Sequence, residues 1–189
     1  MIMPIPLTIR NQRGVTLIEV LVTVIILSIG LLGMAGLQSR LQQSEMEAYQ
    51  RSQALLLLND MANRIASNRN NAATYVTGAA SPLGVGMTCP SNSGSRKQRD
   101  SSEWCADLQG AAETSGGSNI GAMLGGRGCV ESLGSGQYLV TVAWQGLFPL
   151  TAPSAGVACG AGNYGSVGSS CADDVCRRVV TTIVRVATL

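Results

Sequence analysis

From Val20 to Ser39 the chain reads VLVTVIILSIGLLGMAGLQS, twenty residues with no charge among them. At 1.5 Å per residue such a run makes roughly 30 Å of helix, the thickness of a bilayer's hydrocarbon core. Past Ser39 the pattern becomes amphipathic. Leu41, Ala48, Leu55 and Ala62 recur every seven residues, and Leu58, Met61, Ala62 and Ile65 fall at i, i+3, i+4 and i+7. No proline stands between residues 7 and 81 to interrupt a helix. The expectation is one helix from Val15 to about Asn68, roughly 80 Å long, whose outer half carries a stripe that packs on a globular head.

The period changes further on. Residues 70–136 are rich in Gly, Ser, Asn and Ala, and read as loop that disulfides hold together. Gln137 to Trp144 then alternates as a strand, with Tyr138, Val140, Val142 and Trp144 on one face. Residues 178–188 give a second strand, where Val180, Thr182, Val184 and Val186 alternate with Thr181, Ile183 and Arg185. Two antiparallel strands packed against the amphipathic helix make an α+β head. The expected layout is residues 1–14 as a leader, 15–39 as the membrane half of the helix, 40–68 as its amphipathic half, and 69–189 as the head.

Composition narrows the chemistry. Charged residues make up 13% of the 189, and mean hydropathy is positive, too apolar for a disordered chain. The net charge of +2 comes from Arg10 and Arg13, which lie in the first 14 residues; without them basic and acidic residues balance. The remainder therefore has no global bias toward nucleic acid. There is no histidine, the commonest general base and metal ligand.

Six cysteines, Cys89, Cys105, Cys129, Cys159, Cys171 and Cys176, all follow the apolar run. An even number placed there fits disulfides formed in an oxidising compartment, and six cysteines allow 15 pairings, which spacing alone does not resolve. No Cys-x-x-Cys pair favours a metal instead.

Arg10 and Arg13 ahead of the apolar run place the amino terminus in the cytoplasm and the head outside. One plain reading is a signal anchor, or a signal peptide cut near Gly33-Met34-Ala35. Against it stand the order of parts and one carboxylate, Glu19, at the edge of the apolar run. Burying an ionised carboxylate in the membrane costs up to about 3 kcal/mol even on lenient insertion scales, so a partner is expected. A cut after Gly14 would create a cation nearby, the α-amino group of Val15.

Arg13-Gly14-Val15-Thr16-Leu17-Ile18-Glu19-Val20, ahead of an uncharged run, resembles the class III signal of type IV prepilins and type II secretion pseudopilins. Leu17 to Val22, continued through Leu27 to Gly33, is similar to the PilV-type minor pilins. Val15 departs from the Phe more usual after the cut. The resemblance covers about residues 8–40. It implies cleavage by prepilin peptidase between Gly14 and Val15, N-methylation of Val15, and a pairing of Glu19 with the terminal amine of a neighbouring subunit. It also implies partners: the inner membrane, other minor pilins, the major pilin and a tip-associated adhesin, first at the inner membrane with the head in the periplasm, then in a surface fibre. No cofactor is implied.

Gly30, Gly33 and Gly36 have two readings, close packing of membrane helices and local weakening of the helix by about 1 kcal/mol each; in pili of the resembled family this stretch melts. In the head, Asp173-Asp174 invites a calcium reading, but two adjacent acids do not supply the six or more oxygens calcium takes. Arg96-Lys97-Gln98-Arg99 is the head's basic cluster, and Asp100, Glu103 and Asp107 follow to offset it, so a solvated loop is expected rather than a nucleic-acid contact. Trp104, beside Cys105, is expected to pack on a disulfide. No nucleophile–base pair or phosphate loop suggests an enzyme. The leading function is a minor pilin that primes pilus assembly for twitching and adhesion. The alternatives are a type II secretion pseudopilin and a DNA-uptake or adhesive binding pilin.

Overall fold

The computed structural model describes residues 14–111, 114–116, 118–119, 121, 123–165 and 168–187. The leader's Arg10 and Arg13 lie outside the described residues. Helix α1 runs from Leu17 to Ser67 and is followed by a short 3-10 helix, Arg69–Tyr75. The chain divides into two compact units, the first ending at Gln42 and the second starting at Gln43. In the first unit the apolar side chains of α1 are exposed throughout; none of the most apolar stretch is buried.

The second unit is an α+β head. Its strands are β1 (Leu83–Gly84), β2 (Thr114–Ser115), β3 (Ser118–Asn119), β4 (Arg127–Gly134), β5 (Gln137–Gln145) and β6 (Arg177–Arg185), with helix α2 at Arg96–Leu108. Strands β1, β4, β5 and β6 form one antiparallel sheet in the order β1-β4-β5-β6, and β2 pairs with β3. Val140 sits between Val130 and Thr182 in the register. A two-residue turn, Ser135-Gly136, joins β4 to β5 with φ of 49° and 70°, the mirror-image geometry that suits the twist of a hairpin. Gly136 is required there twice over, because a Cβ would also stand 2.4 Å from the Val186 carbonyl oxygen.

The outer half of α1 packs on this sheet through Gln50, Ala54, Leu58, Met61 and Ile65. Leu41, Ala48 and Leu55 of the seven-residue line stay exposed. At 100° per residue that line lies roughly 100–140° round the helix from the packed stripe. Both patterns are helical, and the sheet selects the second because Tyr138, Val140, Val142 and Trp144 present their apolar face to it.

Two expectations for residues 70–136 are corrected. This segment contains α2 and the full-length strand β4, and Arg96-Lys97-Gln98-Arg99 is the first turn of α2 rather than a loop. Ser95 caps that helix: its hydroxyl accepts from Gln98 N–H (3.3 Å) while Gln98 Oε1 accepts from Ser95 N–H (2.9 Å). The buried positions of α2 are Asp100, Ser101, Trp104, Cys105 and Leu108, a helical stripe with few apolar members. Trp104 is fully buried and its ring lies over Gly128 of β4, with its indole N–H donating to the Leu57 carbonyl of α1 (2.9 Å).

Arg64 of α1 holds α2 by charge. Its guanidinium donates to Asp60 (2.7 Å), Asp100 (3.1 Å) and Glu103 (2.6 Å), and Tyr75 donates its hydroxyl to the other Asp100 oxygen. Burial, and then donation to Asp100, pushes the Tyr75 hydroxyl above its ordinary range. Asp107 is left over in this cluster. Burial first, then the nearby Asp60 and Glu103 carboxylates, raise its pKa despite Arg64. A carboxyl raised in the folded state opposes folding once ionised, so its cost is complete at neutral pH and disappears below the unfolded value, about 4. Asp107→Asn should therefore raise the unfolding midpoint by a few °C at pH 7 and leave it unchanged near pH 3. Thermal melts across that range check this, and an equal shift at both pH values would contradict it.

Three disulfides join all six cysteines: Cys89–Cys105, Cys129–Cys159 and Cys171–Cys176, with Cα separations of 5.5, 5.8 and 5.0 Å. The first ties a loop to α2. The second ties β4 to the long excursion between β5 and β6, which covers the outer face of the sheet and buries Thr141 and Ala143. Closing loops of this size contributes roughly 3 kcal/mol for each of the longer two. Arg177 fastens the same excursion, donating to Asp174 (3.1 Å) and to the carbonyls of Val157 (2.6 Å) and Cys159 (3.1 Å).

Candidate assembly site

The site predicted from the sequence lies at the start of α1. Gly14, Val15 and Thr16 precede the helix in extended or irregular backbone, and Val15 is 69% exposed. The Thr16 carbonyl accepts the first helical bonds, from Glu19 N–H (3.0 Å) and Val20 N–H (3.3 Å). Glu19 stands in the first turn, where the unpaired N–H groups and the helix dipole favour a negative charge. Its side chain is exposed, as are the apolar residues on every side of it. A carboxylate thus stands in an apolar surface, at the end of a helix and four residues from Val15. The bond between Gly14 and Val15 lies outside the helix, in backbone that an enzyme can reach.

Polar side chains deeper in the run are handled differently. Thr23 donates its hydroxyl to the Val20 carbonyl (2.8 Å) and Ser28 donates to that of Val24 (2.7 Å). Both are satisfied within the helix, as lipid demands. Gly30, Gly33 and Gly36 lie inside the continuous helix, and a Cβ at any of them would meet nothing within 4 Å. Packing within the chain gives no reason for glycine at these positions.

Residues 9–35 match the family model for the prokaryotic N-terminal methylation motif. The amino-terminal segment carries a type IV prepilin-like signal. The match takes in Arg10, Arg13, Gly14, Val15 and Glu19 and stops short of the amphipathic half of α1. The motif is that of pilins and pseudopilins, and it implies processing by prepilin peptidase and assembly with other pilins. The apolar run of α1 fits the membrane anchor of such proteins. Nothing matched among curated proteins or solved structures.

The remaining candidates in the head look structural. Arg96 is engaged with the Ser67 hydroxyl (2.9 Å) and lies 3.9 Å from Asp100. Asp174 accepts from Arg177 and from Gly162 N–H (2.9 Å), so the Asp173-Asp174 pair serves a turn, closed by Cys171–Cys176. Among the described residues no group of three or more His, Cys, Asp and Glu could hold a metal ion. Sequence reasoning missed the Arg64 cluster and the capping of α2, although Ser95-x-x-Gln98 is a legible capping signal.

Proposed function

We propose that this prepilin-like chain is a minor pilin of the type IV pilus that helps prime assembly. The observation that carries the proposal is Glu19, an exposed carboxylate in the first turn of α1, directly ahead of the uncharged run Val20–Ser39 and four residues past Val15. In this reading residues 1–14 are removed, Val15 is N-methylated, and residues 15–39 span the inner membrane. Residues 40–68 form the amphipathic half of the helix, and residues 69–189 are a periplasmic head. Glu19 then pairs with the Val15 amine of an adjacent subunit as the chain leaves the bilayer. A buried charge neutralised only by the correct neighbour penalises insertion in the wrong register.

Support for a pilus rather than a secretion system comes from the PilV-like run and from a head held by three disulfides. A DNA-binding or adhesive role for Arg96, Lys97 and Arg99 has less support, since Arg96 is occupied within the head.

N-terminal analysis and intact mass of the membrane-extracted protein test the processing. The expected species begins at N-methylated Val15 and lacks two hydrogens for each disulfide; a start at Met1 or Gly36 defeats the reading. Deleting the gene should lower surface piliation and twitching. Intact pili with arrested protein secretion would instead favour the pseudopilin.

A further inference from the structure

The turn Gly146–Leu150 leaves the end of β5 and meets α1 at Glu47. Leu147 N–H donates to the Glu47 carboxylate (3.1 Å), and Arg178 donates to the same oxygen (3.2 Å) and to the Phe148 carbonyl (2.7 Å). The Arg178 guanidinium also lies over the Phe148 ring, 6.0 Å from its centroid. Leu150 N–H donates to the Val175 carbonyl (2.8 Å). The backbone of the turn is thus tied down on both sides, yet its apolar side chains are not drawn into the core. Leu147 is 38% exposed, Leu150 is 52% exposed, and Pro149 between them is exposed.

Two further observations bear on what covers these side chains. From Ser132 to Ala172 the chain carries no charged residue, so the excursion that begins with this turn is uncharged until Asp173 and Asp174 at its far end. A soluble protein surface is normally about a quarter charged. Moreover, the chain enters this unit at Gln43, four residues past the end of the apolar run at Ser39, and Glu47 is about one helical turn further on. Eight residues separate Glu47 from Ser39, and even fully extended they reach no more than about 28 Å from the end of the apolar run. The Ser135-Gly136 turn lies at the other end of β5.

We propose that Leu147-Phe148-Pro149-Leu150 is a lipid-docking turn, which seats in the boundary between headgroups and acyl chains while the subunit is held in the membrane. The proposal rests on α1 being the membrane anchor. The occupant is lipid rather than a second chain because the turn is bonded to Glu47, eight residues past the apolar run, carries no charge of its own, and presents apolar side chains with an aromatic ring, the chemistry that favours the interfacial zone. On extraction into a fibre the turn leaves the lipid.

One added tryptophan at a time in the full-length chain tests this, in bilayers whose lipids carry bromine near the acyl carbonyl or deep in the chain. Trp104 and Trp144 are buried, and the unsubstituted chain gives their background. Leu150→Trp should lose half or more of its emission to shallow bromine, and Leu133→Trp, beside the Ser135-Gly136 turn and 51% exposed, should lose none. Leu31→Trp, within the apolar run, should be quenched by deep bromine. If Leu31→Trp is quenched and Leu150→Trp is not, the docking turn is wrong and the anchor stands. If neither is quenched, both are wrong. Equal quenching of Leu150→Trp and Leu133→Trp also overturns the proposal, because the head then has no preferred end. Blue-shifted Leu150→Trp emission that grows with protein density and resists bromine would assign the turn to contacts between copies instead.

Discussion

Glu19→Ala is expected to leave the Gly14–Val15 bond cleavable and to all but abolish incorporation into fibres. The peptidase meets backbone ahead of α1, and that backbone does not depend on the Glu19 side chain. Incorporation does. In lipid the carboxylate costs up to about 3 kcal/mol, and the proposed pairing with a neighbour's amine would remove that cost. Alanine makes the subunit more comfortable in the bilayer and takes away its reason to move next to another subunit. A difference of 3 kcal/mol corresponds to roughly a 100-fold change in an equilibrium. The variant should therefore accumulate in the membrane in processed form, with fibre-associated protein reduced by that order. Quantifying it in sheared pili and in membranes decides the matter, and wild-type incorporation would falsify the pairing. Glu19→Gln separates charge from size: it should fail as alanine does, since an amide cannot neutralise an ammonium group.

Trp104→Ala should be the most damaging single change in the head. The ring is fully buried, fills the space above Gly128, and satisfies the Leu57 carbonyl. Truncation of such a residue costs about 3–5 kcal/mol, a large part of the 5–15 kcal/mol by which a domain is typically stable. The expected result is a fall of that size in denaturant unfolding free energy. Its partner makes the explanation testable in a second way. A Cβ added at Gly128 would stand 2.2 Å from the Trp104 ring. Gly128→Ala alone should therefore destabilise by about 1–3 kcal/mol through overpacking. In the Trp104→Ala background the same methyl enters vacated space, and its penalty should vanish or reverse. Strictly additive penalties would show that the two residues do not share one site.

The pair also explains why β4 is hard to find in the sequence. Its buried position Gly128 gives no apolar signal, because the bulk that belongs there is supplied by Trp104 from α2, and its last three residues, from Ser132, are exposed. Helix α2 is obscured for the complementary reason. It buries Asp100 and Ser101 beside Trp104 and Leu108, and Asp100 is tolerated only because Arg64 and Tyr75 come from elsewhere in the chain to satisfy it.

What the sequence by itself determined is local. The uncharged run, the strands β5 and β6 with their alternating faces, the end of α1 near Ser67, and the Gly14–Val15 and Glu19 spacing are each written in consecutive residues, where periodicity and charge act directly. What only the tertiary structure decided is non-local. It chose between two helical stripes on α1, because the apolar face of β5 accepts Ala54, Leu58, Met61 and Ile65. It reduced 15 cysteine pairings to one, because α2 carries Cys105 to Cys89 and the excursion carries Cys159 to Cys129. It also anchored Leu147 and Leu150 at Glu47, a hundred residues back along the chain, where burial depends on partners that no local pattern names.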